Sequence, residues 1–189
     1  MPSENQTTDL MCFMPIGPTS DRESSMSATP ERTEYERFYT AYGECFSAWS
    51  GVELNLLAIF VFLLNSPDYE AASSAFYSTT GFRAKLEMVN ATVNNSKRVA
   101  EEDLKAWRNI YETTSKSSQR RNQLAHNTVY FGRQSDKEQR KMFIGHPRTP
   151  YESSRLHVHD LKQIRDSFAS LGGEIFSFWR RLLPRAQNA

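Results

Sequence analysis

The chain has 189 residues, with 23 Lys+Arg against 22 Asp+Glu and a formal net charge of +1 at pH 7. This length predicts one domain with some additional chain, and a hydrophobic fraction of 39% is enough for a core. The near-neutral total argues at first against a nucleic-acid partner, because phosphate-binding domains are usually basic. The two cysteines, Cys12 and Cys45, cannot build a disulfide framework, so we expect a reducing compartment.

The pattern of charge and hydropathy also predicts that the chain neither enters nor crosses a membrane. Residues 1–10 carry no Lys or Arg ahead of a short apolar patch, which is unlike a secretory signal. The longest unbroken apolar run, Leu56 to Leu64, has nine residues, whereas a bilayer span needs roughly 20. We therefore expect a soluble, cytoplasmic protein with no membrane partner.

The first predicted elements are a disordered arm and a long helix. Residues 1–29 are rich in Ser, Thr, Pro and Met and have no periodicity, which is typical of disorder. Pro30 fits a first helical position, and apolar residues then recur every three or four positions as far as Leu64. The last third of this helix is apolar on every side, so we expect more than one face to be covered. The domain's own core covers one face, and a second subunit is a candidate for the other.

Shorter elements follow, and the chain ends in another long helix. The helical pattern resumes over three segments: 67–78, 82–93 and 101–125. Two strand-like pieces around a charged turn, 128–131 and 142–144, predict a hairpin or an ordered loop. The last helix begins near Asp160, has apolar residues at alternating steps of three and four, and stops at Pro184. Its Gly172–Gly173 pair costs helix stability unless another helix approaches closely there.

These elements predict an all-α, antiparallel helical bundle of four to five helices with a short hairpin-like insert before the last helix. The helical domain covers residues 30–184, between the arm of residues 1–29 and a short tail of residues 185–189.

One cluster of residues suggests chemistry. At the end of the fourth helix, Arg121, Asn122 and His126 place a permanent cation, an amide and an imidazole within six residues. Arginine can hold a phosphate with a bidentate fork, and histidine can move a proton near neutral pH. On a straight helix Arg121 and His126 lie about 140° apart. We therefore expect them to converge only if the helix ends between them, or if a second copy of the chain supplies the missing half.

At this motif the chain resembles the HEPN superfamily, whose members carry Arg, then a polar residue, then a His four to six positions after the Arg. Arg121–Asn122 and Ala125–His126 match the variant Arg-Asn-x-x-Ala-His. The resemblance covers roughly residues 31–183, although only the motif is specific. It implies a helical bundle acting as a homodimer, with RNA as its partner and no metal or cofactor.

The resemblance also implies roles for the residues. Arg121 stabilises the phosphate, His126 acts as acid and base, Asn122 orients them or the RNA, and attack by a ribose 2′-hydroxyl leaves a cyclic phosphate. Many members are toxins or defence effectors, so an antitoxin or regulatory protein is an implied partner. One toxin branch has a Tyr two residues after the His, where this chain has Thr128; Tyr130 comes four residues after it.

Further residues are candidates for substrate binding or for orienting the motif: Glu53, Arg120, Asn127 and Tyr130. Glu53 falls on the apolar stripe of the first helix, where a carboxylate needs a partner, so it either orients Arg121 or His126 or pairs with another base. Arg120 also has the permitted spacing to the His, but Arg121 is preferred because Asn122 follows it directly.

Three simpler interpretations remain open. A basic residue and a His at a helix C-terminus also complement the helix dipole, without any function. His157 and His159, together with His146, have the spacing of metal-ligating side chains. A strand that leads into a helix capped by Asp160 or a neighbour explains these histidines better. Finally, the same fold can be a non-catalytic dimerisation or regulatory module.

The charge is divided unevenly along the chain. Residues 1–115 hold 9 Lys+Arg and 16 Asp+Glu, whereas residues 116–189 hold 14 and 6. The near-neutral total therefore does not exclude RNA. If the basic residues that flank the motif share one face, they form an electrostatic footprint for phosphates. They are Lys116, Arg120, Arg133, Lys137, Arg140, Lys141, Arg148 and Arg155.

Overall fold

The computed structural model describes residues 30–132, 140–150 and 155–183. The predicted arm, the predicted tail, Arg133 and Lys137 lie outside these ranges. The described elements, in chain order, are α1 (Pro30–Leu64), α2 (Tyr69–Ser78), α3 (Phe82–Asn95), α4 (Glu101–His126), β1 (Thr128–Gly132), β2 (Lys141–Gly145) and α5 (Val158–Leu182). The predicted all-α bundle with a hairpin before the last helix is confirmed.

Local capping explains several helix ends. The Asp68 carboxylate accepts a hydrogen bond from the Ala71 N–H at 2.9 Å and begins α2. The His157 N–H donates to the Asp160 carboxylate at 2.8 Å, so α5 begins two residues earlier than the sequence pattern predicts. At the end of α1, Asn65 has a φ of 53°, a left-handed conformation that Asn tolerates better than most residues and that turns the chain toward α2.

Four helices form the bundle, and each packs on two others in the order α1, α5, α4, α3 and back to α1. The core at their centre includes Phe38, Trp49, Trp107, Phe168 and Phe178, all of them buried.

The helices do not all alternate in direction, so the predicted antiparallel arrangement holds only for α4 against its neighbours. Because α2 returns the chain along the end of α1, α3 runs parallel to α1: Trp49 contacts Phe82, and further along the Phe62 carbonyl contacts Arg98. The α5 helix is also parallel to α1, since the Cys45 thiol donates to the Leu161 carbonyl. Only α4 among these four runs the opposite way.

At the end of the bundle that contains the C-terminus of α4, fewer helices lie side by side, because α3 does not extend that far. The α3 helix starts at the level of Trp49, and Tyr111 of α4 contacts Glu87 of α3 at 2.6 Å. From these contacts and a rise of about 1.5 Å per residue, α4 extends about 15 Å beyond the start of α3. The N-terminal part of α1 and the C-terminal part of α4 therefore lie beyond the reach of α3.

The hairpin formed by β1 and β2 packs on a different side of α1 from the one that α3 covers. Its strands pair in an antiparallel register from Thr128–Gly145 to Gly132–Lys141, and Ile144 also bridges to Leu156. The Met142 N–H donates to the Glu34 carboxylate at 3.3 Å, which fixes β2 against the first turns of α1.

By length and composition, α1 is apolar enough to cross a membrane, with a mean hydropathy of 1.7 over its most apolar 18 residues. The core helix of a soluble protein satisfies the same criterion, and α1 packs against α5, α3 and α2. It also carries Glu53, which is paired with Lys85. The fold is thus compatible with a soluble protein, with α1 as its core helix.

Candidate functional site

The predicted motif lies in the last two turns of α4, which continues as an unbroken helix through His126. The helix therefore does not end between Arg121 and His126, and that route to their convergence is excluded. Asn122 and His126, however, are four residues apart, so they are neighbours on one face of the helix. Both side chains are exposed, and within the described ranges His126 makes no hydrogen bond or ion pair.

The Arg121 side chain contacts this face of the helix by a hydrogen bond to Asn122. Its Nη1 donates to the Asn122 carbonyl oxygen Oδ1 at 3.3 Å, so the guanidinium lies beside the amide. The Arg121 Nε is buried and has no hydrogen-bond partner in the described part of the chain. Arg121 and Asn122 are thus joined within one chain, and Asn122 shares its face of the helix with His126. Of the two expected routes by which Arg121 and His126 converge, a helix end is excluded because α4 continues through His126, and a second copy of the chain stays a prediction.

Arg120 lies on the other side of α4. It is two residues before Asn122, about 200° around the helix, and its Nη1 contacts the Gln123 side chain at 3.4 Å. Lys116 is also exposed and lies on this far side. These two cations therefore lie away from Asn122, whereas Arg121 contacts it.

Of two other candidates, Asn127 caps a helix through its backbone and Tyr130 has structural contacts through its side chain. Asn127 is the C-cap of α4, and its N–H donates to the Gln123 carbonyl at 3.2 Å. The Tyr130 hydroxyl donates to the Pro147 carbonyl at 3.5 Å, and its ring stacks on Phe143 with centroids 5.5 Å apart. These contacts hold the hairpin together and do not bring Tyr130 to the motif.

Glu53 does not orient the motif. Its carboxylate accepts from Trp49 Nε1 at 2.9 Å and pairs with Lys85 Nζ at 3.0 Å. It lies about 16 Å further along α1 than Tyr42, which contacts the last turn of α4. The alternative interpretation, pairing with another base, is correct: Glu53 joins α1 to α3.

The histidines near the hairpin also have structural contacts. His157 precedes α5, and its Nδ1 lies 3.2 Å from the Met142 carbonyl oxygen. His159 contacts Gln163 on the exposed side of α5, and His146 Nδ1 accepts from the Arg148 N–H. No group of three or more metal-ligating side chains occurs in the described ranges.

The sequence interpretation missed a row of aromatic side chains beside the motif. We define the aromatic stripe as Tyr35, Tyr39, Tyr42 and Phe46 of α1, whose successive ring centroids are 4.5, 6.3 and 5.0 Å apart. Tyr35 is 41% exposed and the other three are half-buried. Their spacing of four, three and four is visible in the sequence, but only the fold shows that Tyr35 is exposed and that the other three are half-buried.

The aromatic stripe lies on the face of α1 that meets α3 further along. Continuing with the same spacing, the next members of this face are Trp49 and Glu53, which α3 covers with Phe82 and Lys85. The aromatic stripe itself lies beyond the start of α3 and is left partly open.

One hydrogen bond joins the aromatic stripe to the motif helix. The Tyr42 hydroxyl donates to the Leu124 carbonyl oxygen at 3.0 Å, in the turn that carries Asn122 and His126. Burial, and secondarily Cys45, raises the pKa of Tyr42, so the phenol remains a hydrogen-bond donor at neutral pH.

Comparison with known proteins found no family model, no curated protein and no solved structure that matches the chain.

Proposed function

We propose that the protein is a HEPN-type, metal-independent endoribonuclease with Arg121, Asn122 and His126 at its site. The observation that carries the proposal is the Arg121–Asn122 hydrogen bond, which brings a guanidinium to the face of α4 that also carries exposed His126. A phosphodiester lying over Asn122 would be within reach of both groups. The last 14 residues of α4, from Thr113, contain no carboxylate that would repel it.

The proposed reaction is an intramolecular transfer of the phosphoryl group. The ribose 2′-oxygen forms a bond to phosphorus, the bond from phosphorus to the 5′-oxygen breaks, and the product is a cyclic phosphate. His126 takes the 2′-hydroxyl proton, and a proton returns to the departing 5′-oxygen. Arg121 stabilises the negative charge that develops on the phosphoryl oxygens, and Asn122 positions the guanidinium.

The test is cleavage of a labelled RNA by the full chain in EDTA, with identification of the cyclic phosphate. We expect His126→Ala and Arg121→Ala each to lower the cleavage rate by about a hundredfold or more. The matched controls are Arg120→Ala, on the far side of α4, and His159→Ala, on α5; both should cleave like the wild type. Cleavage that survives both motif substitutions would contradict the proposal.

The second candidate function is a non-catalytic dimerisation or regulatory module. It is favoured by the position of His126 in the last turn of α4, where a basic group stabilises the helix dipole without chemistry. It predicts binding of RNA or a partner with no turnover, and a His126→Ala protein that behaves like the wild type.

The remaining parts of the proposal concern assembly and location. We propose a cytoplasmic homodimer, in which a second His126 could supply the returning proton, and an antitoxin or regulatory protein that restrains it. Light scattering of the purified chain tests the dimer. A buried free thiol at Cys45 is in keeping with a reducing compartment.

A further inference from the structure

Strand β1 forms an open edge of the two-stranded sheet. One side of β1 pairs with β2, and no strand lies along its other side in the described ranges. The Ile144 N–H and carbonyl bond to Leu156, away from β1. Facing residues of an antiparallel pair bond either to each other or outward, so Val129, which faces Ile144, directs its backbone groups away from β2. The same holds for Phe131, two residues further along, because this pattern alternates.

We define the free edge of β1 as the N–H and carbonyl groups of Val129 and Phe131. None of these groups has a hydrogen-bond partner among the residues that the structure describes. Proteins usually protect such an edge with a charged side chain, a proline or a bulge. The sequence of β1, Thr128–Gly132, contains no charged residue and no proline, and its register with β2 is continuous. The free edge is therefore open to pairing with a further strand.

The hairpin and the segment that follows it as far as Pro150 carry uncompensated positive charge. Their described residues include three exposed cations and no Asp or Glu, and none of these cations forms an ion pair with a described residue. The cations are Arg140, Lys141 and Arg148. Lys141 lies on the same face of the sheet as Tyr130, whose hydroxyl contacts Pro147, next to Arg148. A strand added at the free edge would therefore place every second side chain on the face that carries this charge.

We infer that the free edge of β1 binds an extended acidic segment of a partner protein, which adds to the sheet as a third strand. The backbone of the segment bonds to Val129 and Phe131, and its Asp or Glu side chains lie on the face of Lys141 and Arg148. The cations alone would also attract RNA, but RNA has no strand backbone to satisfy the groups of the free edge. The inference goes beyond the proposed function and does not depend on RNA cleavage.

The first experiment measures the fluorescence anisotropy of a short labelled peptide that alternates Glu and Val, titrated with the full chain. We expect saturable binding that weakens as salt is added. The matched probe is the same peptide with Lys in place of Glu, which retains the backbone and reverses the charge. It should bind about tenfold more weakly or worse.

A second pair of probes distinguishes strand addition from attraction between charges. In an extended peptide, the N–H groups of successive residues point to opposite edges. N-methylation of all the Val residues therefore blocks one edge of the peptide, N-methylation of all the Glu residues blocks the other, and neither changes the charge. One of the two methylated peptides should bind like the unmethylated peptide. The other should bind about tenfold more weakly, because it lacks the N–H groups that the carbonyls of the free edge accept.

Variants of the protein place the site on the hairpin. Lys141→Glu combined with Arg148→Glu should weaken binding of the Glu–Val peptide by about tenfold or more. The matched control is Lys105→Glu combined with Arg108→Glu, which makes the same change of charge on exposed residues near the start of α4 and should bind like the wild type. Both double variants should keep the wild-type circular dichroism, because the four residues are exposed.

Absence of binding by the Glu–Val peptide would overturn the inference. So would equal affinities of the two methylated peptides, which would show that the backbone of the peptide takes no part. If the hairpin double variant loses affinity for RNA but not for the peptide, the cations serve nucleic acid and the inference is also overturned. Cleavage of RNA by Arg121 and His126 is measured separately, so these results leave the proposed function standing.

Discussion

The Tyr42 hydroxyl donates to the Leu124 carbonyl oxygen at 3.0 Å, although the two residues are 82 positions apart in the chain. Leu124 lies in the last turn of α4, where carbonyl groups have no partner within the helix. A residue of the core helix α1 thus satisfies the end of α4 and fixes the turn that carries Asn122 and His126. The position of the motif depends on a contact between helices that are distant in sequence.

Removing this bond should loosen the site without unpacking the core. Tyr42→Phe retains the ring but loses the donor, so we expect the free energy of unfolding to fall by about 1 kcal/mol. Urea denaturation measures it. Tyr69→Phe, on an exposed ring of α2, is the control and should not change stability. Equal stabilities for the two variants would show that the bond contributes nothing.

The Glu53–Lys85 pair should affect stability and not activity. Glu53→Ala leaves the Lys85 ammonium, whose side chain is 13% exposed, without its partner. We expect a loss of about 1–3 kcal/mol in the free energy of unfolding, with the proposed RNA cleavage unchanged below the melting temperature. The control is Glu36→Ala, which breaks the exposed Arg32–Glu36 pair and should cost less than about 1 kcal/mol. A folded Glu53→Ala protein that no longer cleaves would return Glu53 to the site.

Cys45 should make stability fall in alkaline solution. Burial raises the pKa of its thiol from 9.0 to about 11, so the folded protein keeps the proton after the unfolded chain has lost it. The free energy of unfolding should therefore be independent of this group below pH 9 and should decrease from pH 9 towards pH 11. Above pH 10 the raised pKa values of Tyr39 and Tyr42 add to the loss. Chemical denaturation between pH 9 and 10 isolates Cys45, and Cys45→Ala should flatten the slope in that interval.

The two glycines of α5 should respond oppositely to larger side chains. A Cβ at Gly173 would meet no atom within 4 Å, so Gly173→Ala should stabilise the protein by about 1 kcal/mol through helix propensity. Gly172 is buried against α1, where a Cβ would already lie 3.9 Å from Val52 and Asn55, and its carbonyl accepts from Asn55. Gly172→Leu should therefore destabilise it by about 1–3 kcal/mol. Thermal melts of both variants measure the two effects. A Gly172→Leu protein that is more stable than the wild type would contradict the close approach of α5 to α1.

The helices and their ends could be predicted from the sequence because their causes are local. Apolar periodicity predicted α1 to within its observed limits, and the Asp68 cap follows directly from its position ahead of α2. The motif was visible for the same reason, since Arg121, Asn122 and His126 are consecutive or one turn apart on α4. The strand pieces on either side of a charged turn likewise predicted the hairpin.

The tertiary structure alone decided which side chains contact each other and which remain exposed to solvent. Periodicity places Glu53 and the aromatic stripe on the same face of α1. Only the level at which α3 begins makes Glu53 an ion-pair partner and leaves Tyr35 exposed and Tyr39 half-buried. The reach of Arg121 to Asn122 is likewise a matter of side-chain conformation, which helix positions do not specify. Local sequence determines where helices form. Packing between helices that are distant in the chain determines which part of α1 is covered, because α3 begins only at the level of Trp49.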